Sequence, residues 1–399
     1  MKLQGRILII VENLPVPFDR RVWNEATTLS KAGCQVSVIC PTGKGYEEKY
    51  QIIDGIHIFR HNLPVEGQGV LGYLLEYGVA LVWEFILVWK VFSTRGFDVI
   101  QACNPPDNIF LIALFYKLFF RKKFVFDHHD INPELYIAKF ARKDIFYRIM
   151  LLLERCTFGV ADISIATNES YKAIAIRRGK MDPSRVFVVR SGPDLTRMKI
   201  SAQDIEVKRG RKYLVGYLGV MGKQEGIDIL LRAVRYIVYE LGRSDIHFGL
   251  VGGGTELELM QKYADEIGVS AYVTFTGRIS DNDMLKMLNT ADICVNPDVV
   301  NELNDKSTMN KIMEYMALGK PIVQFELLEG RITAQNASLY AKPNDEKDLA
   351  QKMVKLIDDK SLRKEMGDFG RRRVVEELSW DHEYPKLLAA YRKILKSQA

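Results

Sequence analysis

Short, continuously apolar runs alternate with helical segments along most of this chain, and that alternation restricts the fold more than any other feature. Residues 6–11 have the length and β-branched content of a buried strand. Residues 22–31 carry helical spacing and stop at Gly33, and 35–40 form a second buried strand. Strands that are apolar on both faces, joined through a helix, belong to a parallel sheet covered on both sides. The pattern continues with strands at 98–102, 123–126, 161–166 and 186–189 and a helix at 108–120. It stops at the turn-rich 191–194 and the polar stretch that runs to Gly210. It then restarts, with strands at 213–217, 246–251, 273–275, 293–296 and 322–325 and helices at 226–240, 255–267, 281–288 and 307–318. At 399 residues the chain is long enough for two domains. The expectation is therefore α/β: two tandem Rossmann-like parallel-sheet domains, 1–195 and 196–378, facing each other across a cleft. The amphipathic segment 379–399 is expected to pack back on the first of them. Ligands bind such sheets outside the carboxyl ends of the strands, so the loops after strands are the places to look.

Composition narrows the class. Hydrophobic residues at 47% and charged residues at 27% exclude a disordered chain. A net charge of +6, from 56 basic and 50 acidic residues, is too dilute to argue for nucleic acid. Cys34, Cys40, Cys103, Cys156 and Cys294 are odd in number and contain no CxxC, so they read as buried thiols in a reducing compartment. The first apolar run is too short for a signal-peptide core and no cleavage site follows it, which points to the cytoplasm. The strongly apolar run 70–92 is interrupted by Glu76 and Glu84 and falls short of the roughly 18 uncharged residues of a spanning helix.

Five stretches could carry chemistry. Gly252-Gly253-Gly254 follows a strand and opens a helix, where bare backbone and a helix N-terminus suit a phosphate; a plain tight turn has the same signature. Gly219 to Gly226 is a second glycine-spaced loop, and its Lys223 is either a phosphate contact or a solvated lysine. In 304–321, Ser307 is a plausible N-cap, Gly319 a stop signal, and Lys311, Asn310 and Glu314 share a helix face. A carboxylate, a cation and an amide near a helix N-terminus suit a sugar nucleotide, although a surface ion pair has the same spacing. Asp127-His128-His129-Asp130 follows a buried strand; no further His or Cys cluster completes a metal-ligand set there, and no metal is expected. Phe18, Arg20 and Arg21 lie in the loop after the first strand, where paired arginines can hold an anionic substrate.

On the stretches Lys311 to Pro321, Phe126 to Glu134 and Glu12 to Trp23, the sequence resembles the retaining glycosyltransferases of family 4, which have the GT-B fold. Within that family it is similar to the branch that builds bacterial surface or exported polysaccharides. The resemblance covers nearly the whole chain and implies a nucleotide-sugar donor, UDP-sugar favoured, in the C-terminal domain and the acceptor in the N-terminal one. It implies transfer with retention to a glycan or polyprenyl-linked glycan acceptor, with the donor as co-substrate and no cofactor.

Residue by residue, Glu314 matches the second glutamate of the family's E-x7-E motif, which binds ribose. Gly252 and Gly253 match the glycine loop near the nucleotide, and the segment ending at Arg278 lies beside the base. His129, paired with Asp130, matches the histidine near the donor sugar. Gly219, Met309 and Asn310 join the donor side, while Phe18, Arg20 and Arg21 are placed on the acceptor side. The chain also departs from the pattern. The first glutamate of the motif falls on Lys306, and the usual Arg and Lys of the diphosphate clamp fall on Val220 and Glu225. Lys311, Lys223 and a helix N-terminus at Ser307 are expected to replace the clamp, with Asp305 near the sugar.

The apolar runs 70–92 and 109–120, followed by Arg121-Lys122-Lys123, read either as buried helices or as a face that meets anionic membrane. The rival readings are a sugar-nucleotide epimerase of the same architecture and a non-catalytic sugar-nucleotide-binding protein.

Overall fold

The computed structural model describes residues 3–62 and 69–396. Of the apolar run 70–92, the side chains up to residue 77, Glu76 among them, lie outside the described residues, as do residues 397–399. The chain divides into two compact units, Met1–Ser191 with Glu383–Ala399 and Gly192–His382.

Unit 1 contains strands β1 (Arg6–Ile10), β2 (Gln35–Pro41), β3 (Tyr50–Ile53), β4 (Ile56–His61), β5 (Val99–Cys103), β6 (Lys123–His128), β7 (Ile163–Ala166) and β8 (Val186–Val188). They form one sheet in the order β3-β4-β2-β1-β5-β6-β7-β8. Every pairing is parallel except β3 against β4, a hairpin turned by Asp54 and Gly55, both at positive φ. An Asp-Gly pair is suited to such a two-residue turn, and it adds an edge that the βα alternation does not announce. Sheet order reverses direction between β1 and β5, so the loops after these two strands flank the switch point.

The helix Trp380–Lys396 ends the described chain. Its Leu387, Ala390, Tyr391 and Ile394 are buried, and the Tyr391 hydroxyl donates to Gln101 Oε1 on β5. The Glu383 carboxylate accepts the Arg190 N–H at 2.9 Å.

Unit 2 contains β9 (Tyr213–Leu218), β10 (Ile246–Val251), β11 (Val273–Gly277), β12 (Ile293–Asn296), β13 (Ile322–Phe325) and β14 (Ser338–Ala341), all parallel, in the order β11-β10-β9-β12-β13-β14. Adjacent residues Leu214 and Val215 belong to different apolar clusters, one on each face of the sheet. That is the doubly covered sheet the apolar runs require. The switch point here lies between β9 and β12.

One element differs from the sequence expectation. Residues 307–318 are not a single helix capped by Ser307. A short helix, Glu302–Lys306, ends at Ser307, whose backbone is extended and whose hydroxyl donates back to Leu303 O at 2.7 Å. The next helix, Asn310–Ala317, starts after Met309, which is extended and makes no side-chain cap. Serine readily bonds nearby backbone in place of continuing a helix, and here it closes one helix rather than opening the next.

Candidate active site

Each unit gathers polar groups at the carboxyl edge of its sheet. In unit 1 they centre on Asp127, the fifth residue of β6 and fully buried. Arg21, in the first turn of the helix Arg20–Lys31, reaches it with Nη2 2.7 Å from Oδ1 and lies 3.2 Å from Glu25. Asp19 opens that helix by accepting the Val22 N–H, which fixes where Arg21 points. Arg21 also donates to Val189 O at 2.8 Å and to Ser191 Oγ at 3.2 Å. The expectation that Arg21 holds an acceptor is corrected by this placement. The buried Asp127 carboxylate needs a counter-charge inside the protein, and Arg21 supplies it. Phe18, before that helix, and Arg20, its first residue, are exposed.

His129 lies beside this pair. Its Nε2 is 2.7 Å from Asp127 Oδ2. Arg21 Nε directs its N–H at the same nitrogen at 2.9 Å and lies 3.4 Å from Asp127 Oδ2, so Arg21 and Asp127 both meet Nε2. Nδ1 is then the ring nitrogen left for a ligand. Burial alone would lower the His129 pKa, but the Asp127 carboxylate outweighs it and the net shift is upward. Asp127 itself, despite burial, is held well below the usual carboxylate range by Arg21 and His129. Burial and the neighbouring Asp127 charge push Glu25 up to about 8.

The backbone of 129–130 is clamped by Asn104, after β5. Its Oδ1 accepts the N–H groups of His129 at 2.7 Å and Asp130 at 3.2 Å, while its Nδ2 donates to Asp130 O. Asp130 is half-buried and raised by burial. His128 is a core residue: it is fully buried against Phe126, Phe158 and Tyr171, neither ring nitrogen has a hydrogen-bond partner, and burial lowers it to about 3. Cys103, Asp127 and His129 could be taken for a metal set, but the guanidinium of Arg21 already occupies the cation position beside Asp127.

In unit 2 the loops after β9, β10 and β12 meet at the switch point. Lys311, in the first turn of Asn310–Ala317, is buried, with Nζ 2.7 Å from Asp298 Oδ1 and 3.0 Å from Glu225 Oε2. Its ammonium also lies 5.0 Å from the centre of the Tyr217 ring. Glu225 is the position where the family places a lysine, so the cation arrives there from another element while a carboxylate takes the loop position. Burial pushes Asp298 up to about 7 against the pull of Lys311, with the Glu225 carboxylate adding to the rise. Tyr315, fully buried, accepts the Leu218 N–H at 2.7 Å and ties the helix to the end of β9.

Glu314 is half-buried and paired with Arg197. Asp305 Oδ1 accepts the Leu328 N–H at 2.8 Å, so one of its oxygens opens the helix Leu328–Ala334. Lys306 pairs with Glu302 at 2.7 Å. Lys223, Arg278 and Asn310 are exposed, and Met309 is half-buried.

The two glycines after β10 differ. Gly252 has φ +135°, and a Cβ there would fall 1.8 Å from Gly219 O, so its lack of a side chain is explained by the loop after β9. A Cβ on Gly253 would meet nothing closer than Arg278 Cγ at 3.5 Å, so packing does not require that glycine. Sequence reasoning missed Arg197, Asp298, Tyr217 and Tyr315 in this unit and Glu25, Gln101, Asn104 and Tyr391 in the other. Each is an ordinary strand, loop or helix residue whose partner lies far away in the chain.

The comparisons with known proteins agree with this architecture. Residues 19–197 match the family described as Glycosyltransferase Family 4, and residues 212–359 match Glycosyl transferases group 1. The capsular polysaccharide biosynthesis glycosyltransferase CapM of Staphylococcus aureus is 24% identical over 264 residues, 64% of this chain and 67% of that one. The sucrose-phosphate synthase of Thermosynechococcus elongatus superposes with a TM-score of 0.78 at 17% identity, covering 98% of this chain and 99% of that one. Anabaena HepE in complex with UDP-glucose superposes with a TM-score of 0.69 at 14% identity, covering 99% of both. With one glycosyltransferase family matched over most of unit 1 and another over most of unit 2, on two Rossmann-like parallel sheets, the chain is a family 4-like glycosyltransferase of the GT-B fold.

Proposed function

We propose that the protein transfers a sugar, with retention, from a nucleoside diphosphate sugar to a hydroxyl of a glycan or lipid-linked glycan in polysaccharide biosynthesis. The observation that carries this reading is the Lys311 ammonium at the switch point of unit 2, at the head of a helix and beside the glycine loops. A leaving diphosphate gathers negative charge, and fixed donors and cations are what stabilise it. Lys311 is shared between the Glu225 and Asp298 carboxylates, so it offers a diphosphate a fixed N–H donor rather than net positive charge. Lys223 and the first-turn N–H groups of Asn310–Ala317 add to it. Glu314, oriented by Arg197, is assigned to the ribose, Gly253 and Arg278 to the nucleotide, and Asp305 to the sugar. The HepE complex with UDP-glucose supports a uridine donor on this fold, and CapM supports a polysaccharide acceptor. No observation favours the epimerase.

His129, whose pKa the Asp127 carboxylate raises, is not assigned as a general base. Among the described residues no side chain stands out as a dedicated nucleophile, so attack assisted by the leaving diphosphate fits better than a covalent intermediate.

The acceptor side includes an apolar surface. Val79, Val82, Trp83, Ile86 and Trp89 lie at helical spacing on Gly69–Thr94 and are all exposed. Aromatic contacts Phe85–Phe115 and Trp89–Phe120 continue the surface onto Phe110–Phe120, where Leu118 and Phe119 are 68% and 70% exposed. Among the described residues no helix is long and apolar enough to cross a membrane. The surface, with Arg121 beside it, suits peripheral contact with anionic lipid.

The primary test is a thermal-shift titration of the full chain with UDP, GDP, ADP and their sugar conjugates. UDP species should raise Tm by mass action. Product analysis by NMR should show the donor's anomeric configuration retained, and an inverted product would refute the mechanism.

A further inference from the structure

Behind the loop after β1 lies a second polar cluster that the transfer reaction does not use. Glu12 follows β1, His61 ends β4 and Glu84 lies on the helix Gly69–Thr94; all three are buried, at 3%, 2% and 0% exposure. One ligand atom from each lies within 4.8 Å of the other two. His61 Nε2 is 3.2 Å from Glu12 Oε2. Among the described residues, none of the four carboxylate oxygens, nor His61 Nε2, has a hydrogen-bond partner outside these three side chains. Among the described residues no Lys or Arg forms an ion pair with either glutamate. Such a group of charges is costly to bury uncompensated.

The histidine is already oriented. Its Nδ1 lies 3.2 Å from Asn62 O, so Nδ1 carries the hydrogen and donates to that carbonyl. The lone pair on Nε2 then points at the two carboxylates. A second nitrogen anchored on a backbone carbonyl is the usual outer arrangement of a metal-binding histidine. Two carboxylates and a neutral imidazole carry a charge that one divalent ion cancels. A mixed N/O set of three ligands matches Zn²⁺ among the common ions better than Ca²⁺ or Mg²⁺, which take oxygen ligands.

We propose that Glu12, His61 and Glu84 bind a divalent transition-metal ion, with Zn²⁺ the best match, which ties the end of β1, β4 and the helix Gly69–Thr94 together. The role is structural and independent of the donor-site assignment. The ligands come from three segments separated by tens of residues, so no spacing motif reveals them.

The full chain, purified without chelator and equilibrated with Zn²⁺, should retain one zinc per chain after exhaustive dialysis, measured by mass spectrometry of the metal. EDTA should then lower Tm by about 5 °C or more. Glu84→Gln, which keeps shape and can donate to Glu12, should lower zinc affinity at least about 100-fold and make Tm insensitive to EDTA. His61→Gln should do the same, and it serves as the second variant should the first fail to fold. Substoichiometric zinc in the wild type, with no response of Tm to zinc or EDTA, would overturn the proposal and leave the cluster sharing protons instead. Zinc retained equally by both variants would overturn it as well, by placing the ion elsewhere.

Discussion

Gly252 and Gly253 are neighbours of one residue type with different reasons to be glycine. Gly252→Ala would place a Cβ on the Gly219 carbonyl at a φ that alanine rarely adopts, costing roughly 3 kcal/mol or more. Gly253→Ala meets open contact distances and should leave stability within about 0.5 kcal/mol, while UDP affinity falls about tenfold. Thermal melts and calorimetric titration of the two variants separate packing from binding; unchanged UDP affinity in Gly253→Ala would remove that residue from the donor site. His129 supplies a pH signature. Its pKa is raised by Asp127, so the pair's stabilisation is fully present below the unfolded value of about 6.5 and is lost as pH rises through the folded value. Tm should therefore decline over that window in the wild type and decline less in His129→Gln, which keeps a donor for Asp127. The position of His129 at the carboxyl end of β6 was legible from its place after a buried strand. The inward turn of Arg21 was not, because it depends on Glu25 and Asp127, and the latter is 106 residues away.

Secondary elements were read best where their own residues decide the outcome. The strands 246–251, 293–296 and 322–325 appear with the bounds their apolar runs suggest. The β3–β4 hairpin was missed even though Asp54-Gly55 is a turn signal, because β3 is an edge strand of only four residues, alternately exposed and half-buried. The break at Ser307 was missed because hydroxyl bonding to Leu303 O competes with capping, and spacing cannot rank the two. The helix Gly69–Thr94 shows what an apolar run leaves open: part of it is packed and part is exposed. Replacing Trp83 and Trp89 together with glutamate should abolish co-flotation with anionic vesicles while changing Tm by little, since both side chains are about half exposed. Flotation that persists in that variant would exclude this face as the membrane contact.

At the scale of the whole chain, unit 2 is one continuous segment and unit 1 is made from two. A fragment of residues 192–382 should fold alone and bind UDP, shown by its own melting transition and a ligand-dependent shift. Removing residues 383–399 should instead destabilise unit 1 by on the order of 5 kcal/mol, from the lost burial of Leu387, Tyr391 and Ile394. Hydrogen exchange should place the damage around β5 and β6, with unit 2 unaffected. The two-sheet architecture was legible from alternation alone. That the last segment packs back was read from an amphipathic pattern, which says that a helix has a buried face but not what buries it.

That return sets a schedule for synthesis. Tyr391 donates to Gln101, which in turn donates to Asp127, and the two ends of the first bond are 290 residues apart. At about 5–20 residues per second, roughly 15–60 s pass between the emergence of Gln101 and that of its tyrosine. Throughout that interval the charged cluster around Asp127 lacks one of its supports, so a ribosome that stalls late releases a chain with every strand of both sheets but an unfinished site.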